Sequence, residues 1–466
     1  MRSAEYIGIG LFAALLVLPL AETPRDGMHQ GDPQDPRAHP HVVRDLAQIK
    51  RDTLRVLVLP DPLSWEERPG AMTGLEWELL ERFARRHRMP IKAIPVQDRD
   101  SMLVMLQNGH GDVIAAQLSP KGWAAPYTHV TRSYRKVARM EARSRKGRTS
   151  TSGSPDLDTL TVSTWSPFLD SSNTLASTDS TRFVKITERT PDDLLSDAAL
   201  GRVGALLVTD ASGSMEAKRL PLVKFGAREG LSIPLVFAVR TNSDHLLHAL
   251  DTWLASSREY EARQALIAAY DNGLETRVSH QPFRTLAFGS DSISRFDSLF
   301  QAHADSLTWD WKLLAAVAFK ESRFDTAALS YAGAGGLMQM MPNTAALMGV
   351  AAGSGVNAHI SGATRYLDRL DRIWRKEIPA PAQRLKFVLA AYNAGPGHVK
   401  DAQRLALELG MDPQRWDGNV ERAIVLLNRP RYFTSPSAKT GYCRGQDTYW
   451  YVREVVELYA WLSGKG

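Results

Sequence analysis

The sequence predicts two folding units of different class: a two-lobed α/β unit followed by an all-α unit. Three observations carry that expectation. Residues 53–272 alternate strand-like apolar runs with helical runs, joined by short Gly-containing turns, and this helix–turn–strand grammar occurs twice. From Phe296 onward the apolar residues recur almost wholly at helical spacing. At 466 residues the chain is also too long for one hydrophobic core.

Composition narrows the class without naming a function. Hydrophobic residues at 44% and charged residues at 23% are ordinary for a soluble globular protein. A formal net charge of +6 suits an anionic partner. Nucleic acid is not expected, because no Lys/Arg cluster is interleaved with aromatics, and Arg143–Arg148 reads as a solvated loop. Cys443 is the only cysteine, which excludes an intramolecular disulfide and a thiolate metal site. His303, His359 and His398 lack metal-ligand spacing, so neither metal nor cofactor is expected.

At the N-terminus, Arg2 precedes the apolar run Ile7–Ala21, the layout of a secretory signal. The run is short for a spanning helix, which needs about 20 apolar residues. Residues 1–21 are therefore expected to be a signal peptide or a membrane anchor, and either way the bulk of the chain is exported. Residues 22–52, rich in proline at their start and poor in apolar content, read as a disordered tether. His29, His39 and His41 are scattered along it rather than spaced for a metal.

In the α/β unit, "LRVLVL" opens a strand, and Gly74 then starts "LEWELLERFARRH", where Leu75, Leu79, Leu80 and Phe83 share one face. "DSMLVMLQNGHGDVIAAQL" reads as a helix stopped at Gly109 and a strand starting at Asp112. The second lobe repeats this in "TPDDLLSDAALGRVGALLVTD": Thr190 caps, Pro191 takes the first helical position, Asp192 and Asp193 suit the positive helix end, and Gly201 stops the helix. A mobile connection, "ARSRKGRTSTSGSPDLD", lies between the lobes, and "PLVFAVR" with "HLLHALDTWLA" returns the chain to the first.

Through "GLEWELLERFA", "LQNGHGDVIAA", "APYTHV" and "GRVGALLVTD", residues 53–272 resemble bacterial extracellular solute-binding domains of the amino-acid-binding type. The resemblance implies two lobes closing on a ligand. Where such binders carry an arginine for a ligand carboxylate, "SPKGWAAPY" offers only Lys121, and the first acid of their "DA…D" strand is Gly204 here, leaving Asp210 alone. These departures point away from a free amino acid. Lys121, Trp123, Tyr127 and Asp210 would instead offer a cation, aromatic faces and one acid to a larger ligand.

Residues 273–295 link the halves, and 296–466 form the helical unit through "WDWKLLAAVAFKES", "NAHISGATRYLDRLDRIW", "QRLKFVLAAYNAG" and "TYWYVREVVELYAWL". On the first of these helices Leu314, Val317 and Glu321 lie at steps of three and four, so Glu321 shares a face with core residues. Spacing alone leaves two readings: an acid at a frayed helix end, or a carboxyl held against apolar groups, whose neutral form is favoured as a general acid requires. "SYAGAGGLMQMMPNTA" follows, a small-residue turn with Gln339 and a helix start at Pro342 and Thr344. It is no phosphate cradle, because no strand precedes it and no Lys-Ser/Thr follows. "AAYNAGPGHV" ends another helix on Tyr392 and Asn393. One acid, two amides, hydroxyls from Ser330 and Tyr392, and exposed small residues together suit a sugar polymer.

These motifs closely resemble the lytic transglycosylases, cell-wall enzymes with a lysozyme-like helical domain. The match runs through "ES" at 321–322, Ser-x-x-Gly-x-x-Gly-Leu-Met-Gln-x-Met-Pro-x-Thr at 330–344, "AYNAG" at 391–395 and "GYCRG" at 441–445. With the solute-binding resemblance ahead of it, the likeness covers roughly residues 50–464. It implies non-hydrolytic cleavage between N-acetylmuramic acid and N-acetylglucosamine, leaving a 1,6-anhydro end. Glu321 would be the catalytic residue, with Ser330, Gln339, Tyr392, Asn393 and Tyr442 binding glycan; Tyr442 and Arg444 equally suit tying the last helix down. Ala332 stands where some members carry a second serine. The partner would be peptidoglycan, and the location periplasmic and membrane-associated, at the outer membrane by resemblance; the front module would bind a muropeptide in its cleft or, equally, serve as a spacer or docking module that has lost its ligand.

Most glycosidases need two carboxylates flanking the bond. Asp325 is the second acid nearest in sequence, but "RFD" before Thr326 reads as a turn, so a substrate hydroxyl is left as the nucleophile. The other readings are a water-using muramidase with Asp325 assisting, and a non-catalytic sensor that only grips glycan. A cysteine peptidase built on Cys443 and His398 is weaker, since Cys443 sits inside the glycan motif.

Overall fold

The computed structural model describes residues 35–68, 71–145, 159–169, 183–271, 292–304, 307, 309–330, 333–351 and 353–464. The apolar run Ile7–Ala21, the tether up to residue 34, the linker at 272–291 and Ala332 lie outside the described residues.

The expected tether is a correction from residue 35 on. Its short helix α1 (Leu46–Ile49) is capped by Asp45, and Ile49 is fully buried. Low apolar content does not leave this segment loose, because its polar groups find buried partners. Arg44 pairs with Asp112 at 2.9 Å, Asp112 pairs in turn with the fully buried Arg240, and Asp45 accepts from the amides of His245 and Leu246.

Lobe 1 is built from β1 (Leu54–Val58), the hairpin β2 (Glu66–Arg68) and β3 (Ala71–Thr73), α2 (Leu75–Arg86), β4 (Ile91–Pro95), α3 (Arg99–Gln107) and β5 (Val113–Leu118). β1 lies between β4 and β5, parallel to both. Gly74 opens α2 at φ 132°, and a Cβ there would stand 2.4 Å from the Ser64 carbonyl oxygen, so only glycine brings the hairpin onto the helix. The face read from Leu75, Leu79, Leu80 and Phe83 is fully buried.

After β6 (His129–Val130), β7 (Arg135–Ser144) crosses into lobe 2. That lobe holds β8 (Thr159–Ser163), β9 (Phe183–Thr187), α4 (Pro191–Leu200), β10 (Ala205–Thr209) and α5 (Asp210–Arg219). Thr190 caps α4 by accepting from the Asp193 amide, and Gly201 ends it in the left-handed region. The long strand β11 (Val223–Val239) pairs with β7 in lobe 2 and with β5 in lobe 1, so β7 and β11 form an antiparallel two-stranded hinge. α6 (Asp244–Ala255) and α7 (Ser257–Asp271) follow, and Leu246, Leu250 and Trp253 of α6 join the lobe 1 core.

The C-terminal unit is all helical: α8 (Asp297–Ala304), α9 (Trp311–Ser322), α10 (Pro342–Leu347), α11 (Val356–Trp374), α12 (Pro381–Ala394), α13 (Pro396–Glu408), α14 (Glu421–Leu426), α15 (Pro430–Phe433) and α16 (Gly445–Leu462). α16 packs against both α9 and α12 at its centre. A Cβ on Gly445 would fall 1.7 Å from the Ile424 carbonyl oxygen, so glycine sets how closely α16 meets α14.

This helical unit does not hang free of lobe 2. Leu194, Leu195, Ala198 and Ala199 of α4 share one apolar cluster with Ala423, Ile424 and Leu427. Polar contacts close the seam: Arg422 donates to the Ala199 carbonyl and Arg202 to the Leu409 carbonyl. At its centre Arg429, 1% exposed, pairs with Asp192 and donates to Glu216 at 2.6 Å. Arg219 bridges Glu216 at 3.0 Å and Glu66 of the lobe 1 hairpin at 2.8 Å. Removing one partner of a buried ion pair strands the other charge, at a cost of about 3–5 kcal/mol. Arg429→Ala is expected to lower the unfolding free energy of the full chain by about that amount in urea denaturation. A loss below about 1 kcal/mol, the range of an exposed pair, would show that the seam does not depend on this arginine.

Candidate active site

α9 delivers Glu321 to the core side of the helical unit. Asp310 caps its start by accepting from the Lys312 amide. Its end is abrupt, because Arg323 and Phe324 adopt φ of 54° and 65° in succession, a conformation that non-glycine residues seldom hold. Packing holds them there, with the Phe324 ring against Phe319 and Phe300. Ser322 donates to the Leu337 carbonyl at 2.8 Å and so ties the helix end to the small-residue loop.

Glu321 is partly buried, and its carboxylate Oε1 accepts a hydrogen bond from the Tyr451 hydroxyl at 2.7 Å. Loss of water pushes its pKa up to about 7, against the opposing pull of Tyr451 and Lys320. Tyr451, on α16, is buried, and burial beside Glu321 raises its phenol well above the ordinary value. Tyr392 ends α12 near the same carboxyl, with its hydroxyl donated to the Met338 carbonyl at 2.8 Å. Glu321, Tyr392 and Tyr451 therefore form one electrostatic group drawn from three helices.

The loop beyond α9 is held by its own side chains. Ser330 Oγ accepts from the Ala334 amide at 2.9 Å. Gln339, at φ 44°, donates its side-chain Nε2 to the carbonyls of Ala328 and Gly336, both at 2.9 Å. Its amide nitrogen thus shapes the turn, and only Oε1 is left for a ligand. Asn393 is exposed, with Oδ1 accepting from Thr448 at 2.8 Å. Tyr442 meets the Phe433 ring edge-on at 5.6 Å, a contact on α15 that suits tying down the segment before α16. Asp325 is exposed and accepts from the Ala327 amide, a turn contact that leaves Glu321 without its help. Burial pushes the Cys443 thiol up to about 12, the opposite of what a nucleophilic thiolate needs.

Sequence reasoning missed Tyr451 as a functional residue. It sat inside the helical "TYWYVREV", where it reads as one more core aromatic. The available signal was its hydroxyl, since a buried tyrosine needs a polar partner.

The four residues expected in the front cleft do not converge. Lys121 is exposed, Trp123 meets Trp165 at 5.6 Å, and Tyr127 lies beneath the Arg37 guanidinium. Asp210 faces the hinge instead, accepting from the Ala138 amide and pairing with Arg228 at 3.2 Å. It is Ser212, two residues later, that meets the other lobe, donating to Gln117 while it accepts from Thr209. The lobes are shut on each other: Trp165 of lobe 2 is buried in an apolar cluster of lobe 1, and Ser212 of lobe 2 donates to Gln117 of lobe 1. Beside them Glu76, buried and accepting from Ser64, Tyr134 and the Gln117 amide, is also pushed to about 7. Among the described residues no cluster of His, Cys, Asp and Glu could hold a metal ion.

Comparison with known families agrees with this division. Residues 54–272 match the bacterial extracellular solute-binding proteins, family 3, and residues 298–412 match the transglycosylase SLT domain. A membrane-bound lytic murein transglycosylase F of Desulfosudis oleivorans is 27% identical over 84% of this chain and 86% of its own length. One of Shewanella denitrificans is 27% identical over 88% of this chain and 82% of its own. A solute-binding domain leads into an SLT domain, and the chain, similar over most of its length to membrane-bound lytic murein transglycosylases F, is a lytic murein transglycosylase.

Proposed function

We propose that this lytic murein transglycosylase uses Glu321 alone as acid and then base to cleave the N-acetylmuramic acid–N-acetylglucosamine bond of peptidoglycan without water. The observation that carries this reading is a carboxyl at pKa about 7 whose named hydrogen-bond partner is a phenol, while Asp325 is turned to a surface loop. Near neutral pH Glu321 holds its proton and gives it to the leaving glycosidic oxygen. As the C1–O bond breaks, the muramyl C6 hydroxyl attacks C1, and the newly formed carboxylate takes that hydroxyl's proton. The ring closes as a 1,6-anhydro end, and Glu321 is again protonated. Tyr451 steadies the ionised intermediate form by its hydrogen bond. Ser330, Gln339 through its oxygen, Tyr392 and Asn393 orient sugar and N-acetyl groups.

The front module is read as a sensor for a soluble wall fragment, a muropeptide, on the strength of the family 3 match. Entry to the cleft requires the lobes to part at Trp123–Trp165 and Gln117–Ser212. The relatives' names support an envelope location, at the outer membrane in this reading. Among the described residues no helix is long and apolar enough to cross a membrane, so attachment would fall to the N-terminal run, and cell fractionation checks it.

Glu321→Gln is expected to reduce turbidity clearing by about 10²–10⁴-fold. The variant should fold at least as well as the wild type above pH 7. Native Glu321 binds its proton more tightly than the unfolded chain does, so its ionisation costs stability as pH rises from the ordinary carboxylate range to about 7. Mass spectrometry of the wild-type digest should show anhydro ends; reducing ends would indicate a muramidase, and undiminished clearing by the variant would remove Glu321 from the mechanism.

The acid form of Glu321 is lost as pH rises through about 7, so lysis should fall on that limb. Tyr451→Phe removes a hydrogen bond that favours the carboxylate, so the limb should move to higher pH while the maximal rate drops. An unmoved limb would separate Tyr451 from the titration of Glu321.

Adding soluble muropeptides to the full chain should change its rate of lysis and give saturable heat by calorimetry. Saturable heat from single amino acids with none from muropeptides would reverse the ligand assignment.

A further inference from the structure

Two hinged lobes come together when something touches both, and in a binding protein that something is the ligand. Here Trp165 touches both. Its backbone belongs to lobe 2, in the turn after β8. The Trp165 amide donates to Ser163 Oγ at 3.1 Å, Ser163 donates to the Arg189 carbonyl at 2.6 Å, and the Thr164 amide donates to the Thr187 carbonyl at 2.8 Å. Its indole, 2% exposed, shares a cluster with Leu59, Met102, Leu118 and Ala124 of lobe 1. Among the described residues it is the one member of that cluster drawn from lobe 2. Trp123, on the lobe 1 side, meets the ring edge-on at 5.6 Å.

Arg99 closes over the turn. From the first position of α3 in lobe 1 it donates to the Thr164 carbonyl at 3.2 Å and pairs with Glu188 at 3.5 Å. Its guanidinium lies 5.9 Å from the centre of the Trp123 ring. Two further polar links between the lobes do less to hold them shut. Ser212 to Gln117 is long, at 3.5 Å. Arg219 and Glu66 are well paired at 2.8 Å, but water serves both charges once the lobes part. An indole has no such recourse, because opening exposes most of a side chain that buries about 150–250 Å². The apolar contact decides.

We propose that Trp165 is a built-in occupant of the front cleft: it holds the lobes shut with no ligand present, and a ligand gains entry only by expelling the ring. The resting module is closed and empty, so any response to a ligand starts from the shut state. This concerns the ligand-free chain, and it rests on neither the muropeptide reading nor the role of Glu321.

The test measures the span of the sheet in the full chain. Lys92 on β4 and Lys185 on β9 are exposed and stand on its two outermost strands. Lys92→Cys with Lys185→Cys takes a pair of spin labels, while Cys443, buried and with its thiol pushed up to about 12, stays unlabelled. Without ligand, the dipolar distances of this labelled parent should form one short population that indole does not alter. Adding Trp165→Gly should shift the open–closed ratio toward open by about a hundredfold or more. Indole, the probe that matches the gap, should then restore the short population saturably. Arg99→Ala should shift the ratio the same way by less than about tenfold. Should Trp165→Gly melt early, Trp165→Phe decides, since its smaller ring keeps the cluster apolar and should still lengthen part of the distribution. A ligand-free parent that is mainly open overturns the proposal. So does a folded Trp165→Gly, or Trp165→Phe in its place, that keeps the parent distances, or a Trp165→Gly that opens and ignores indole.

Discussion

A guanidinium sealed from water must be met by acids, and Arg429 is the point at which this chain satisfies that rule. Its partners Glu216 and Asp192 belong to lobe 2, and Arg219 extends the chain of charge to Glu66 in lobe 1. Two α/β lobes and an all-helical unit thereby meet at one set of ion pairs. The orientation of α5 on the hinge, the seat of the β2–β3 hairpin and the position of α14 and α15 all follow from it. The apolar seam between α4 and α14 supplies the bulk of the contact, and the charges fix its register.

The same physical effect gives two carboxyls the same titration and different uses. Burial moves Glu76 and Glu321 alike to about 7. Glu76 accepts from two hydroxyls and a backbone amide and is wholly enclosed, so its proton has nowhere to go but within the lobe. Glu321 has a phenol for a partner and retains some exposure. A displaced pKa therefore marks a reactive group only when access comes with it.

Periodicity made the elements legible. The strands β1, β5 and β10, the helices α2, α3, α4 and α6, the Thr190 cap, the Gly201 stop and the long helices of the C-terminal unit fall where apolar spacing and capping residues put them. The hinge strand β7 does not, since its end, Ala142–Ser144, reads in sequence as the start of a loose connection. Glu321 was legible because it interrupts an apolar face, and its loop because it concentrates glycine. Tyr451 was not, since it meets Glu321 from 130 residues away and no local pattern carries such a contact. The Arg429 junction was hidden for the same reason. Residues 35–52 were misread as loose because composition records the apolar side chains a segment lacks, not the buried acid waiting for Arg44. In the front cleft Asp210 turns to the hinge, and Ser212, two positions on, meets the opposite lobe.

The apolar cluster that runs without a break from α4 into the helical unit has a consequence for how such a protein is inherited. Two domains joined by a linker look like interchangeable cassettes, free to be recombined with other partners. Here each would carry away half of a shared interior, with Arg429 on one piece and its acids on the other. A recombined enzyme half would expose the apolar residues of α14, and a recombined binder half would expose α4 together with an Asp192 carboxylate that has lost its arginine. The unit that evolution can move intact is the pair.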